Sequence, residues 1–200
     1  MNLFYRCAVA IVGNLFRLLY PMHFIGRENI PASPFLICAN HSAFSDPFFV
    51  AVGFTPRRDL RFMAKTELME LPVLGPILHW LGVFGVERGK SDLSAVKTAL
   101  RCLKNGENVA IFPQGTRYKT KAQSGAALLA LRAGVPVVPV FVPVNKRFFR
   151  RNTVVIGAAY RPQAPEGLGR AEGYQAAADE IMSRVWALGG IEPTAKRRRT

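Results

Sequence analysis

The feature that most constrains the fold is an alternation. Short apolar runs, mostly rich in Val, Ile, Phe or Leu, recur at 35–40, 59–64, 83–87, 108–112, 136–142 and 153–160, and stretches of helical periodicity lie between them. The clearest of these helices spans 92–104, where Leu93, Val96, Leu100 and Leu103 share one face. Ser91 is placed to cap its start and Gly106 lies just past its end. Residues 126–133 before Gly134 read as a second helix, and 174–188 as a last one with Ile181, Val185 and Leu188 on one face. Strands alternating with helices predict an α/β fold: one domain with a largely parallel or mixed central sheet flanked by helices.

Three segments are expected within 200 residues. Residues 1–24 are expected to form an N-terminal amphipathic segment suited to a membrane surface, 25–163 the main body of the domain, and 164–200 a C-terminal helix and basic tail that belong to the same domain. In the first segment Arg6 and Arg17 interrupt the apolar run, leaving too few residues between them for a bilayer span of ~20. A helix lying in the membrane interface fits this pattern, and so does a helix packed on its own domain. There is no internal repeat, and 163–169 is the one Pro/Gly-rich hinge.

The charge is lopsided, with 27 basic against 13 acidic residues and a formal net charge of +14, which points to an anionic partner. No zinc-ligand spacing, basic heptad helix or RNP-like aromatic motif is present, so the expected partner is an anionic membrane surface and not nucleic acid. The basic residues Lys146, Arg147, Arg150 and Arg151 surround Phe148 and Phe149, a composition that suits lipid headgroups. Cys7, Cys38 and Cys102 are widely spaced in apolar segments and read as reduced core residues, with no disulfide or metal site expected.

Chemistry enters directly after the first apolar run, in Asn40-His41-Ser42-Ala43-Phe44-Ser45-Asp46-Pro47. Histidine is the side chain best suited to accept a proton near neutral pH, and a carboxylate on its second ring nitrogen fixes its tautomer. Asp46 before Pro47 is equally the pattern of a helix start, with Asp as N-cap. In open α/β sheets ligands bind beyond the carboxyl ends of strands, where His41 should lie. Two further strand ends carry arginines to that edge, in Glu87-Arg88-Gly89-Lys90 and in Pro113-Gln114-Gly115-Thr116-Arg117. An arginine fork binds phosphate through charge-assisted hydrogen bonds, and Gly115 lets the backbone approach a ligand.

Four blocks together resemble the PlsC-type glycerolipid acyltransferases: Asn40-His41 through Asp46-Pro47, Gly82-Val83-Phe84-Gly85-Val86-Glu87-Arg88, Phe112-Pro113-Gln114-Gly115-Thr116-Arg117, and Val135-Pro136-Val137-Val138-Pro139-Val140. The segment Phe62-Met63-Ala64-Lys65-Thr66-Glu67-Leu68 is similar to one common in that family. The resemblance implies a glycerol-3-phosphate acyltransferase-like fold, with His41 as catalytic base and Asp46 as its partner. It implies a glycerol-phosphate pocket lined by Arg88, Gln114, Gly115, Thr116 and Arg117, with Lys65 as a further anion binder. The substrates implied are lysophosphatidate and an acyl thioester of coenzyme A or acyl carrier protein, with no cofactor beyond that co-substrate and no metal. The place implied is the cytoplasmic face of the cell membrane, as a peripheral protein. The chain departs from the family at Gln114, where glutamate is usual, and at Gly85, where a bulky residue is common. The first departure keeps open another lysophospholipid or an aminolipid as acceptor, and a non-catalytic lipid-binding protein of the same fold is the reading from another class.

The chemistry expected is direct transfer, with His41 taking the proton of an acceptor hydroxyl as it attacks a thioester carbonyl. No Gly-x-Ser-x-Gly elbow is present, and Cys38 within a strand reads as inert, so a covalent acyl-enzyme is disfavoured. Backbone N–H groups near the His41 loop are candidates to stabilise the oxyanion. His23 and His79 lack comparable neighbours and read as structural.

Overall fold

Seven strands form one sheet: β1 (Met22–Ile25), β2 (Leu36–Ala39), β3 (Leu60–Lys65), β4 (Phe84–Val86), β5 (Asn108–Ile111), β6 (Val137–Phe141) and β7 (Asn152–Ile156). The computed structural model describes residues 7, 11, 13–14, 16–55, 58–72, 74–80, 82–86, 93–115 and 122–190. Strand order is β1-β7-β6-β2-β5-β3-β4, and every pair is parallel except β6 with β7. The expected mixed sheet is therefore present. The helices are α1 (Asp46–Phe54), α2 (Thr66–Met69), α3 (Leu74–Trp80), α4 (Leu93–Lys104), α5 (Gly125–Ala133) and α6 (Arg170–Leu188).

β2 reads as a continuous apolar run because both of its faces are covered. Side chains of a strand alternate between faces, so Leu36 and Cys38 join one core while Phe35, Ile37 and Ala39 join the other. The first core packs under α4, α5 and α6 through Leu103, Ala126, Ala130, Ile181 and Val185. The second packs under α1 through Phe49, Val50 and Phe54. Burial on both faces makes β2 the rigid centre of the molecule, and β5 and β6 flank it in parallel. The chain leaves β2 toward β3 on one side and later returns to β6 on the other, so the carboxyl end of β2 lies at a topological switch point.

Several boundaries differ from the sequence expectation. β1 was not foreseen: it has four residues, includes the polar His23 and lies at the edge of the sheet, so it carries little of the apolar signal of a central strand. The run 153–160 breaks after Ile156, and Tyr160 makes only an isolated bridge to Val137. α6 begins four residues early, at Arg170 after Gly169. Ser91 lies outside the described residues. At Gly85 a Cβ would meet Thr66 Oγ1 at 3.2 Å, so the small residue admits the first turn of α2 against β4.

Of the N-terminal segment 1–24, residues 7, 11, 13, 14 and 16–24 are described; those up to 19 are helical, and 22–24 already belong to β1. Phe16 stacks on Phe48 at 5.3 Å and meets Phe49 edge-on at 5.5 Å, which seats it on α1. Ile11 and Leu18 face outward. No helix among the described residues is long and apolar enough to cross a membrane.

Candidate active site

Register alone sets the frame of the site. The pairing of Leu36 with Val109 and Cys38 with Ile111, continued past the strand ends, brings His41 level with Gln114. The pairing of Leu36 with Val137 and Ala39 with Val140 brings it level with Val142. Asn40 seals the second junction, donating from Nδ2 to the Val142 carbonyl at 2.8 Å and accepting the Val142 N–H on Oδ1 at 2.7 Å. Both groups are buried, so this amide replaces the ladder where the strands diverge.

His41 is held from three sides. Its backbone N–H donates to Gln114 Oε1 at 2.6 Å, its ring stacks on Phe112 at 4.4 Å, and its Nδ1 lies 2.9 Å from Asp46 Oδ2. An ionised carboxylate only accepts, so the Asp46 contact assigns the ring proton to Nδ1 and leaves Nε2 with a lone pair. Among the described residues Nε2 has no hydrogen-bond partner.

Asp46 sits in the first turn of α1 but does not cap it. Its Oδ2 accepts the N–H of Ser42 at 2.6 Å and of Ala43 at 2.8 Å, both upstream, while the N-cap position belongs to Ser45 without a side-chain bond. The expected N-cap role is thus corrected: the carboxylate folds the loop back on itself, and this short return is what brings a residue five positions away onto the imidazole. Burial pushes the Asp46 carboxyl up. Hydrogen bonds from His41 and the Ala43 N–H, with the Lys146 ammonium, outweigh it and hold the group below the usual carboxylate range.

The N–H groups of His41, Ser42 and Ala43 are engaged by Gln114 and Asp46, so these three are not free to meet an oxyanion.

Gln114 is 2% exposed and follows β5 in a turn closed by the Gly115 N–H on the Phe112 carbonyl at 3.0 Å. Gly115 has φ +69°, the left-handed region that favours glycine. Lys65 ends β3, a parallel strand, and so stands at the same sheet edge as His41. Arg88, Thr116 and Arg117 lie outside the described residues. Cys38 is fully buried in β2, where burial pushes its thiol far above the ordinary value and leaves it unreactive. No group of three or more His, Cys, Asp or Glu among the described residues could hold a metal ion.

Lys146 is the residue that sequence reasoning misplaced. It was grouped with Arg147, Arg150 and Arg151 on a lipid-facing loop, yet its side chain is 5% exposed and its ammonium pairs with Asp46 Oδ1. The strand-end argument that located His41 and Gln114 applies equally to β6, and carrying it one strand further would have brought Lys146 to the same edge.

A family model described as Acyltransferase matches residues 21–143. The chain is 37% identical over 116 residues to a 1-acyl-sn-glycerol-3-phosphate acyltransferase of Bacillus subtilis, a match covering 56% of this chain and 58% of that protein. It is 35% identical over 122 residues to the protein of the same name from Pseudomonas aeruginosa, covering 58% of this chain and 46% of that one. The chain thus spans about half the length of these curated relatives. The crystal structure of the Thermotoga maritima 1-acyl-sn-glycerophosphate acyltransferase PlsC has the same fold, with a TM-score of 0.66 at 24% identity over 97% of this chain and 80% of that one. The buried His41–Asp46 pair at the switch point and the matched segment that contains it lead to one conclusion: the chain belongs to the acyltransferase family.

Proposed function

We propose that this protein transfers an acyl group from an acyl thioester, of coenzyme A or of acyl carrier protein, to the free hydroxyl of 1-acyl-glycerol-3-phosphate, forming phosphatidate for phospholipid synthesis. The observation that carries the reading is the 2.9 Å contact of His41 Nδ1 with Asp46 Oδ2, which commits Nδ1 to the carboxylate and leaves Nε2 as the base. As the acceptor oxygen attacks the carbonyl, its proton passes to Nε2, the C–O bond forms, and Asp46 steadies the imidazolium. The C–S bond then breaks, and the departing thiolate takes the proton back from the imidazolium. An ordinary thiol has a pKa of ~8.5, so the leaving group needs little acid assistance.

Arg88 and Arg117 supply the phosphate contacts in this reading, with Lys65 beside them and Thr116 and Gly115 shaping the pocket. Gln114 serves it by holding the His41 backbone, a task that an amide oxygen performs without a negative charge.

The acceptor is a lipid, and the surface beside the dyad suits one. Phe44, between His41 and Asp46 in the chain, is exposed, as are Phe48, Phe148, Phe149 and Leu18. The Phe149 N–H donates to the Leu19 carbonyl at 2.8 Å and Phe148 packs on Tyr20 at 4.5 Å, which joins the loop after β6 to the N-terminal helix in one aromatic face. The protein therefore works at a membrane surface, as a peripheral protein on the cytoplasmic side where acyl thioesters are available. The test is purified protein with acyl-CoA or acyl-carrier-protein donors and a panel of lysolipids. Phosphatidate from lysophosphatidate is the expected product, whereas acylation of another lysolipid alone would overturn the acceptor assignment.

A further inference from the structure

The loop after β6 delivers a cation to a place where burial alone would exclude it. Lys146 extends beneath the His41 loop, with its ammonium on Asp46 Oδ1, 3.0 Å from Ser42 Oγ and 5.6 Å from the centre of the Phe49 ring. Asp46 is fully buried, and its two oxygens have separate tasks. Oδ2 takes the His41 ring and two backbone N–H groups, while Oδ1 meets Lys146. A buried carboxylate with one oxygen unpaired would be costly, and would lower that cost by turning or by taking a proton. Turning would remove the acceptor that keeps the His41 proton on Nδ1, and protonation would weaken it by cancelling its charge.

We infer that Lys146 is a positioning residue for acyl transfer, which acts through Asp46 by keeping that carboxylate ionised and aimed at His41. The inference rests on the acyl-transfer reading above. Its architecture is long-range: Lys146 and Asp46 come from the loops after β6 and β2, and Asn40 locks those strand ends together through Val142 only four residues before Lys146. A lysine kept merely for solubility or for headgroup contact would have stayed with its exposed neighbours Arg147 and Arg150.

The experiment is a double-mutant cycle on the full chain, after wild-type transfer to at least one lysolipid has been established. Failure of the wild type on every acceptor would strike the functional reading, and the results below bear on Lys146 alone. K146M should lower kcat by about 10- to 100-fold, the scale typical of losing a residue that supports a functional side chain from one contact away, with KM for donor and acceptor changed less than about 2-fold. In a D46N background the same substitution should change kcat by less than about 2-fold. The downfield proton resonance of His41 Nδ1–H should be present in the wild type and weakened in K146M. Should K146M fail to fold, K146Q, which keeps a hydrogen-bond donor without the charge, carries the same cycle. A kcat within 2-fold of wild type in the single variant, or an equal loss in both backgrounds, would overturn the assignment.

Discussion

Lys146 and Phe149 are three residues apart in one loop and are turned in opposite senses. The lysine side chain is 5% exposed, and the phenylalanine is 71% exposed. Hydrophobicity orders them the other way round, so what decides each orientation is the partner. Lys146 goes inside because a buried carboxylate already waits there, and the attraction between the two offsets desolvation that either would suffer alone without return. Phe149 stays outside at φ +53°, a backbone state that bulky residues rarely adopt. Strained backbone that holds an aromatic ring in water is what a surface built to meet lipid would show. In the proposed reaction the inner side of the loop would serve proton transfer, and the outer side access to the substrate.

That division is open to attack from both sides. The largest separation should come from Phe149→Asn, which suits the left-handed backbone while removing the ring. Partition to vesicles containing anionic lipid should fall by about 10- to 100-fold, the equivalent of ~1.5–3 kcal/mol for one buried Phe. The melting temperature should hold or rise, and kcat on detergent-dispersed substrate should stay within about 2-fold. An unchanged vesicle affinity would remove the outer half of the comparison.

On the inner side, Asn40→Ala should do the reverse. It leaves the buried N–H and C=O of Val142 without partners, at a cost of ~1–3 kcal/mol for each in denaturant unfolding, with vesicle partition unaffected. A variant as stable as wild type would mean that the β2–β6 junction is held by something else.

The smallest effect concerns acid. Because the folded protein holds Asp46 below its ordinary value of 3.8, this group stabilises the fold fully above that pH, and the contribution is lost as pH falls through the lower folded value. Wild type and D46N should therefore converge in stability on acidification below about pH 4, while differing at neutral pH. Curves that stay parallel through the acid range would mean that the carboxylate is not stabilised by its partners.

The same contrast explains what could be read from the sequence. Central strands announce themselves because β2, β5 and β6 are buried throughout and are apolar at every position except Asn108, which opens β5. β1 is partly exposed along most of its length, so its four residues leave no comparable trace. His41 and Asp46 were legible because they directly follow a buried strand. Gln114 was legible as a site residue, but its contact with the His41 backbone depends on a register between strands 73 positions apart, which spacing within one block does not contain. Lys146 was hidden by its neighbours: a run of basic residues looks like a solvated face, and only the three-dimensional position of Asp46 singles out one of them.

In the proposed reaction His41 acts as a general base on the acceptor hydroxyl, and no acyl group rests on the protein. Thiol release from an acyl thioester, followed with and without lysolipid in wild type and His41→Ala, tests it most directly. Release should require the acceptor, match the ester formed mole for mole, and fall by about 10²–10⁴ in the variant. A burst of thiol without acceptor, or a His41→Ala protein that transfers at the wild-type rate, would contradict the account.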